Sequence, residues 1–382
     1  MAYTRPSESL FNPNTSGNVN LAEIESNASF INEVLAAFKI NGAVQKYAAG
    51  ARVTRYYVKL AIGTPESKFK KILPALIAHF GESVCFANPG ENTSDTADMY
   101  PIDIPNKESR IVSLNGFKAK FNKESDVVFA LGETATGTGI ACDLANMPHL
   151  LIAGSSGSGK SVCINSIIST ILLRTIPEAC RLLLIDPKRV ELSAYEGVPH
   201  LLQPIAKSPA DAISALRLAE KHMDARFNEF DRCGVKDIDG YNAKYPTNKY
   251  GRIVVIIDEL ADLMHYAKYE VEQIFVCLAQ LARAAGIHLV VATQEPTCAV
   301  ISGLIKANMP SRIAFATATS KESVVILGHG GAEKLLGKGD MLYQPADKGY
   351  NPMRLQGLYV SPEEINRLVT YINNQHYVPF SA

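Results

Sequence analysis

Gly154-Ser155-Ser156-Gly157-Ser158-Gly159-Lys160-Ser161 fits the pattern G-x-x-x-x-G-K-[ST], a set of residues whose chemistry is the cradling of phosphate. Glycines let the backbone fold around an anion so that its N–H groups face inward, and the positive end of a following helix adds to the attraction. Lys160 is placed to reach the β- and γ-phosphates of a nucleoside triphosphate, and the Ser161 hydroxyl to ligate Mg²⁺. The expected nucleotide contacts run from Gly154 through Val162. Ser/Gly-rich turns between a strand and a helix also occur without any ligand. Here the apolar run His149–Ala153 precedes the motif and an apolar helix candidate, Val162–Leu173, follows it, which is the context a triphosphate cradle needs. ATP with Mg²⁺ is the expected ligand.

Two carboxylates end a second apolar run, Ile253-Val254-Val255-Ile256-Ile257-Asp258-Glu259. At the carboxyl end of a central strand they would face the cradle across the crevice. Asp258 is then expected to hold Mg²⁺ through water and Glu259 to polarise the attacking water, whereas the bland alternative is a pair of solvated strand-end acids. Leu289–Ala292 leads into Thr293-Gln294, where the Gln294 amide is either a γ-phosphate sensor that orients water or a simple strand-end hydrogen-bonding group. Arg283, in Gln280–Gly286, sits near the end of a helix and is either an arginine finger presented at a subunit surface or a solvated Arg favoured by the helix dipole.

The elements that must carry these groups can be read from the hydropathy pattern. Short apolar runs at Leu150–Ala153, Leu182–Ile185, Ile253–Ile257, Leu289–Ala292 and Ile313–Ala316 alternate with helical patterns, which predicts an α/β fold with a mostly parallel sheet from about residue 111 onward. Ahead of it, Val53–Ile62, Glu66–Phe80, Ser83–Ala87 and Met99–Ile104 predict a small β-α-β-β unit, with a loop at Asn88–Thr96. Leu21–Ile40 has the spacing of an amphipathic helix, and residues 1 to about 20 are polar and turn-rich, the pattern of a mobile tail. The expected division is a tail and helix over 1–40, a small α+β accessory domain over 41–110, and an ATPase core over 111–382.

Composition sets the limits. With 47% hydrophobic and 20% charged residues, the 382-residue chain has the make-up of an ordinary globular protein with a sizeable core. No stretch approaches the roughly 18 apolar residues of a membrane-spanning helix, and the N-terminus lacks a signal-peptide pattern. Seven cysteines are scattered without a C-x-x-C pair, which predicts reduced packing thiols and a cytoplasmic setting, not a disulfide framework or zinc site. The 38 basic and 38 acidic residues balance. That does not advertise nucleic-acid binding, and it does not exclude it, because a ring can gather a few cations from each subunit at its centre.

Several ordered blocks go further than any one motif. Besides His149–Ser161, they are Ile185–Lys188, Tyr195–Leu201, Asp258–Leu263, Arg283–Leu289, Gly303–Asn308 and Leu336–Leu342. In this order they resemble the FtsK/SpoIIIE family of DNA translocases over most of residues 111 to 360, and residues 41 to 110 resemble, more weakly, the domain that precedes the motor in that family. The resemblance implies a RecA-like P-loop NTPase motor core behind a small α+β N-terminal module. It also implies a homo-hexameric ring that pumps double-stranded DNA through its channel, with ATP hydrolysed between subunits. On that footing Arg283 becomes a finger acting on the neighbour's site, and Lys306, in the loop Ser302–Pro310, a contact to the DNA backbone.

There are departures. Glu295 stands where the family usually has Arg, and Ser323–Gly328 lacks an Arg and an Asp that the family pattern carries there. A carboxylate at 295 repels phosphate, which keeps open an alternative, a related ATPase of a secretion or conjugation system that engages a protein. The resemblance includes neither a membrane anchor nor a C-terminal winged-helix domain, so the expectation is the motor portion alone.

Overall fold

The computed structural model describes residues 3–14, 20–87, 93–119, 125–147, 149–346 and 351–377. Helix α1 (Leu21–Ala37) starts where the Asn20 side chain accepts a hydrogen bond from the Glu23 N–H, and buries the stripe Ile24, Ile31, Val34 and Leu35. Strands β1 (Gly42–Ala49) and β2 (Val53–Leu60), helices α2 (Glu66–Phe69) and α3 (Leu73–Phe80), and strands β3 (Cys85–Phe86) and β4 (Tyr100–Pro105) follow. The four strands form one antiparallel sheet in the order β1-β2-β4-β3. Its residues Tyr56, Val58, Ile102 and Ile104 pack with Ile31, Leu35, Phe69, Ile72 and Leu76 from the helical layer.

The small unit therefore has one strand more than the expected β-α-β-β. Strand β1 carries exposed Gln45, Lys46 and Tyr47 and only half-buried neighbours, so its sequence lacks the apolar alternation that betrays a strand. Of the expected loop Asn88–Thr96, residues 88–92 lie outside the described residues.

Among the described residues the second sheet has nine strands. In chain order they are β5 (Val128–Thr134), β6 (Gly139–Asp143), β7 (Leu150–Ala153), then α4 (Lys160–Arg174), β8 (Cys180–Ile185), α5 (Pro209–Cys233), α6 (Ile238–Lys244) and β9 (Arg252–Ile257). Next come α7 (Leu260–Leu281), β10 (Ile287–Thr293), α8 (Gly303–Asn308), β11 (Ser311–Phe315), α9 (Ser320–Leu327), β12 (Asp340–Gln344), β13 (Met353–Gly357) and α10 (Pro362–Asn373). The sheet order is β6-β5-β13-β12-β11-β7-β10-β9-β8.

The expectation of a mostly parallel sheet holds for half of it. The strands β11-β7-β10-β9-β8 are parallel, while β12, β13, β5 and β6 extend the sheet antiparallel. The parallel strands are buried on both faces, as crossover helices require. Leu150, Ile152, Leu184, Ile256 and Ala292 face α4 and α10, and Leu151, Ala153, Leu183, Ile257 and Val291 face α5 and α7. No helix among the described residues is long and apolar enough to cross a membrane.

Residues 3–14 differ from a free tail. Phe11 is buried in the main core, the Asn12 N–H donates to Glu364 Oε1 at 2.7 Å, and Arg367 Nε donates to the Leu10 carbonyl at 2.9 Å. Phe11 and Tyr3, contacts from α10, and hydrogen bonds from Ser113 and Asn115 strap this polar segment to the body. Residues 15–19 lie outside the described residues.

Candidate functional site

Strand β7 ends at Ala153 and the chain turns through Gly154–Gly159 before α4 begins at Lys160. The turn is tied down by backbone: the Ser155 N–H and hydroxyl both donate to the Ala316 carbonyl, beyond β11. Two glycines are required by geometry. Gly159 takes φ +116, and a Cβ there would lie 2.5 Å from the Gly339 nitrogen; a Cβ on Gly154 would lie 2.6 Å from Phe315 Cβ. The Gly339 N–H in turn donates to the Ser158 carbonyl at 2.8 Å, so a second turn, Leu336–Asp340, rests against the first.

Strand β10 lies beside β7 and β9 beside β10, and both deliver the polar ends of their sequences to the same edge of the sheet. Lys160 Nζ donates to Asp258 Oδ1 at 2.8 Å and to the Asp258 carbonyl at 2.7 Å, and both side chains are buried. Glu259 is 2% exposed and saturated with donors. Its Oε1 accepts from the Thr293 hydroxyl at 2.6 Å and from the Ala261 N–H at 3.3 Å, capping α7. The Gln294 N–H points at both of its oxygens at 3.2 Å, and Lys188 Nζ donates to Oε2 at 3.1 Å. Burial works against the charge on Lys188, but Glu259 and then Asp262 offset it and raise its pKa above the usual lysine value. A buried carboxylate fixed by four donors is oriented before any reactant arrives.

A cleft of about 520 Å³ opens over the turn, lined by Ser155, Ser156, Gly157, Gly159, Lys160, Ser161, Val162 and Gln294. Lys338 and Gly339, Gln356 to Tyr359, Ser109 to Val112, Glu191 and, from the β1–β2 turn of the small sheet, Arg52 complete it. Arg110 is itself paired with Glu133 at 2.5 Å. A larger cleft of about 680 Å³ beside α1 shares Arg110, but Asn20, Asn27, Asn106 and the rest of its lining assemble no comparable phosphate cradle, so chemistry and not volume identifies the site. The donors available to a divalent cation are the Ser161 hydroxyl and the Asp258 carboxylate, hard oxygens of the kind Mg²⁺ takes when a triphosphate supplies the rest. With the Lys160 amine on Asp258, the residues fit that group once the amine swings to phosphate.

The structure thus brings Gly154–Val162, Asp258, Glu259 and Gln294 to one edge. It leaves two expected residues elsewhere. Arg283 lies at the opposite edge, before β10 begins, where Nε and Nη2 donate to the Ala145 and Asn146 carbonyls at 3.2 and 3.4 Å. It has no reach to its own chain's cleft. Lys306 is on the short helix α8 and not in a loop, because Ser302 caps the segment by accepting from the Ile305 N–H. Lys188 and Thr293, which hold Glu259, were not singled out from the sequence. Lys188 follows β8, the neighbour of β9, so the rule that sites gather at the carboxyl ends of adjacent strands points to it.

The departures have local partners. Glu295 Oε1 lies 3.6 Å from His265 Nε2, and its side chain is 45% exposed. Gly328 ends α9 with φ +89, a left-handed cap for which glycine is suited. Val324 is exposed on the same helix.

Comparison with known proteins gives a consistent picture. The profile of the FtsK/SpoIIIE family matches residues 117–298, and that of the FtsK alpha domain matches residues 6–84. DNA translocase FtsK of Clostridium acetobutylicum is 41% identical over 388 residues, covering 98% of this chain and 50% of the relative. The protein of the same name from Bacillus cereus is 42% identical over 369 residues, covering 93% and 46%. The chain spans about half the length of the curated relatives it matches. Among solved structures, the pCW3 conjugation coupling protein TcpA with ATPgS superposes with a TM-score of 0.60 at 22% identity, over 92% of this chain and 100% of that one. EssC (ATPases 2 and 3) of Geobacillus thermodenitrificans gives 0.59 at 18% identity, over 69% and 52%. At such identities the likeness is one of fold: a RecA-like P-loop core with a small N-terminal module.

Proposed function

The chain belongs to the FtsK/SpoIIIE family, and from that premise we propose that it is an ATP-driven translocase of double-stranded DNA, working in the cytoplasm as a homo-hexameric ring. The observation that carries the reading is the convergence of a glycine-built anion cradle, Lys160 and the acids Asp258 and Glu259 on one edge of a parallel sheet. A protein that merely held nucleotide would need the cradle and Asp258, but has little use for a second, fully oriented carboxylate.

In this mechanism Lys160 moves from Asp258 onto the β- and γ-phosphates when the triphosphate enters. Ser161 and the released Asp258 carboxylate would hold Mg²⁺, which supplies charge neutralisation between the phosphates. Glu259, fixed by Thr293, Gln294 and Lys188, accepts a proton from the attacking water, and the Gln294 side chain, lining the cleft, senses the γ-phosphate. Arg283 lies at the far edge of the sheet from its own cleft, so it can serve only a neighbour's. Lys306 follows DNA phosphates without reading bases.

The test is steady-state ATPase activity with and without long double-stranded DNA, with Glu259→Gln as the blank. Strong stimulation supports a DNA motor. Turnover indifferent to DNA points to the alternative, a protein-engaging ATPase, to which the Glu295 carboxylate is suited. In DNA binding, Lys306→Ala is expected to lessen the slope of log affinity against log salt by about 1.

A further inference from the structure

A buried ionic cluster joins the two sheets, and its far end rests on the P-loop. On the small sheet, Arg55 of β2 and Asp103 of β4 are direct cross-strand partners, bonded through Nε–Oδ1 at 2.7 Å and Nη2–Oδ2 at 3.0 Å. Cys85 of β3 is the partner of Asp103 on its other side. On the large sheet, Arg354 of β13 grips Asp340 of β12 through Nε–Oδ1 at 3.0 Å and Nη2–Oδ2 at 2.7 Å. The remaining Arg354 nitrogen, Nη1, crosses between the sheets, 3.7 Å from Asp103 Oδ2 and 3.3 Å from Cys85 Sγ. All four charged residues are 5% exposed or less, and two arginines balance two aspartates.

Asp340 does a second job. Its Oδ2 accepts the Leu336 N–H at 2.8 Å and its own N–H donates to the Gly337 carbonyl, closing a tight turn. Gly337, Lys338 and Gly339 inside that turn all have positive φ, +69, +49 and +93. A left-handed lysine between two left-handed glycines holds only where its surroundings impose it. The imposed shape puts the Gly339 N–H on the Ser158 carbonyl and packs Gly339 where a Gly159 side chain would be. Lys338 and Gly339 also line the nucleotide cleft.

We propose that Asp103 is a positioning residue for the nucleotide: through Arg354 and Asp340 it holds the Gly337–Gly339 turn against the P-loop, so that the small sheet sets the cleft's affinity for its triphosphate. The inference rests on the nucleotide reading given above. It assigns the small sheet a part in nucleotide binding, which nothing in the sequence of that module announces. A cluster that served stability alone would have no need to end on the residue that closes the turn.

The test compares the full chain with Asp103→Asn, and with Asp103→Glu as the conservative variant. The readouts are affinity for a fluorescent ATP analogue with Mg²⁺, hydrogen exchange of the peptide spanning 336–340, and melting temperature. Asp103→Asn is expected to weaken binding by about threefold or more and to speed exchange in that peptide, with Asp103→Glu recovering both in part. Because Asp103→Asn removes the negative charge that Arg55 faces, the double variant Arg55→Met/Asp103→Leu provides a second route, replacing the module's pair by apolar groups that often fold as well. A melting temperature that falls while affinity and exchange stay at wild-type values overturns the proposal, and so does failure of both variants to fold, which marks the cluster as structural. A wild-type chain that binds no analogue instead overturns the nucleotide reading itself.

Discussion

The Lys160 amine is held by two atoms of one residue, the Asp258 carboxylate at 2.8 Å and its backbone carbonyl at 2.7 Å, where each side chain is 2% exposed. Neither charge can be removed alone without stranding the other. Lys160→Met is therefore expected to abolish nucleotide binding and to lose about 3–5 kcal/mol of stability. Lys160→Met/Asp258→Leu recovers most of that stability and none of the binding. Denaturant melts beside analogue titrations check both halves, and a single variant as stable as wild type would contradict the first.

Glu259→Gln keeps the shape of the cleft and removes the proposed proton acceptor. Turnover is expected to fall by about 10²–10⁴-fold with analogue affinity retained. Lys188→Ala leaves Glu259 in place but takes away its only cationic partner among the described residues. The lysine is 46% exposed, so stability changes by under about 1 kcal/mol while kcat shifts severalfold. Equal kcat in wild type and Lys188→Ala would show that Thr293 and Gln294 suffice to aim the carboxylate.

Arg283 and Glu259 belong to opposite edges of one sheet, so a site that uses both draws them from two chains. Arg283→Ala is expected to bind analogue normally and to hydrolyse poorly once assembled. Mixing it with Glu259→Gln restores intact sites at some interfaces, and with them activity. Mixtures that stay as inactive as the two variants alone would rule out action across subunits.

Acid sensitivity follows from histidines sealed in the large domain. Burial lowers His149 and His200 from 6.5 to about 4 and His288 well below 6.5. They are neutral in the fold and become charged in the unfolded chain as pH drops past 6.5. The unfolded state binds more protons in that window, so stability is full above pH 6.5 and falls toward pH 4. His149 and His200 each cost roughly 2 kcal/mol by pH 5. Melts from pH 7.5 to 4.5 check this, and His200→Gln is expected to flatten the slope.

That the Gly154–Gly159 turn and the acid pair meet was legible in the sequence because each is a short polar motif behind an apolar strand. The five parallel strands were legible for the same reason: sealed on both faces, they are continuous runs such as Leu150–Ala153 and Ile253–Ile257. The antiparallel extension was not. Strand β13 reads Met-Arg-Leu-Gln-Gly, and its arginine is buried only because Asp340 and Asp103 neutralise it from other segments. Strand β1 hides for the opposite reason, having no buried residue. The Ile185–Lys188 and Leu336–Leu342 blocks stood out in the sequence, but what Lys188, Thr293 and the Leu336–Asp340 turn hold is set by neighbours distant in the chain.

The position of β13 has a consequence for how the chain is made. Among the described residues, strand β5 joins the large sheet through β13, made late in synthesis, and β6 pairs with β5. During translation the β5–β6 hairpin must wait until residue 357 clears the ribosome, roughly ten to forty seconds after its own synthesis at ordinary elongation rates. Throughout that delay Phe129 and Leu131, fully sealed in the finished molecule, have no sheet to join. The nascent chain meanwhile carries this apolar hairpin without the sheet edge it is built for, a surface of the kind that invites a chaperone or misassembly.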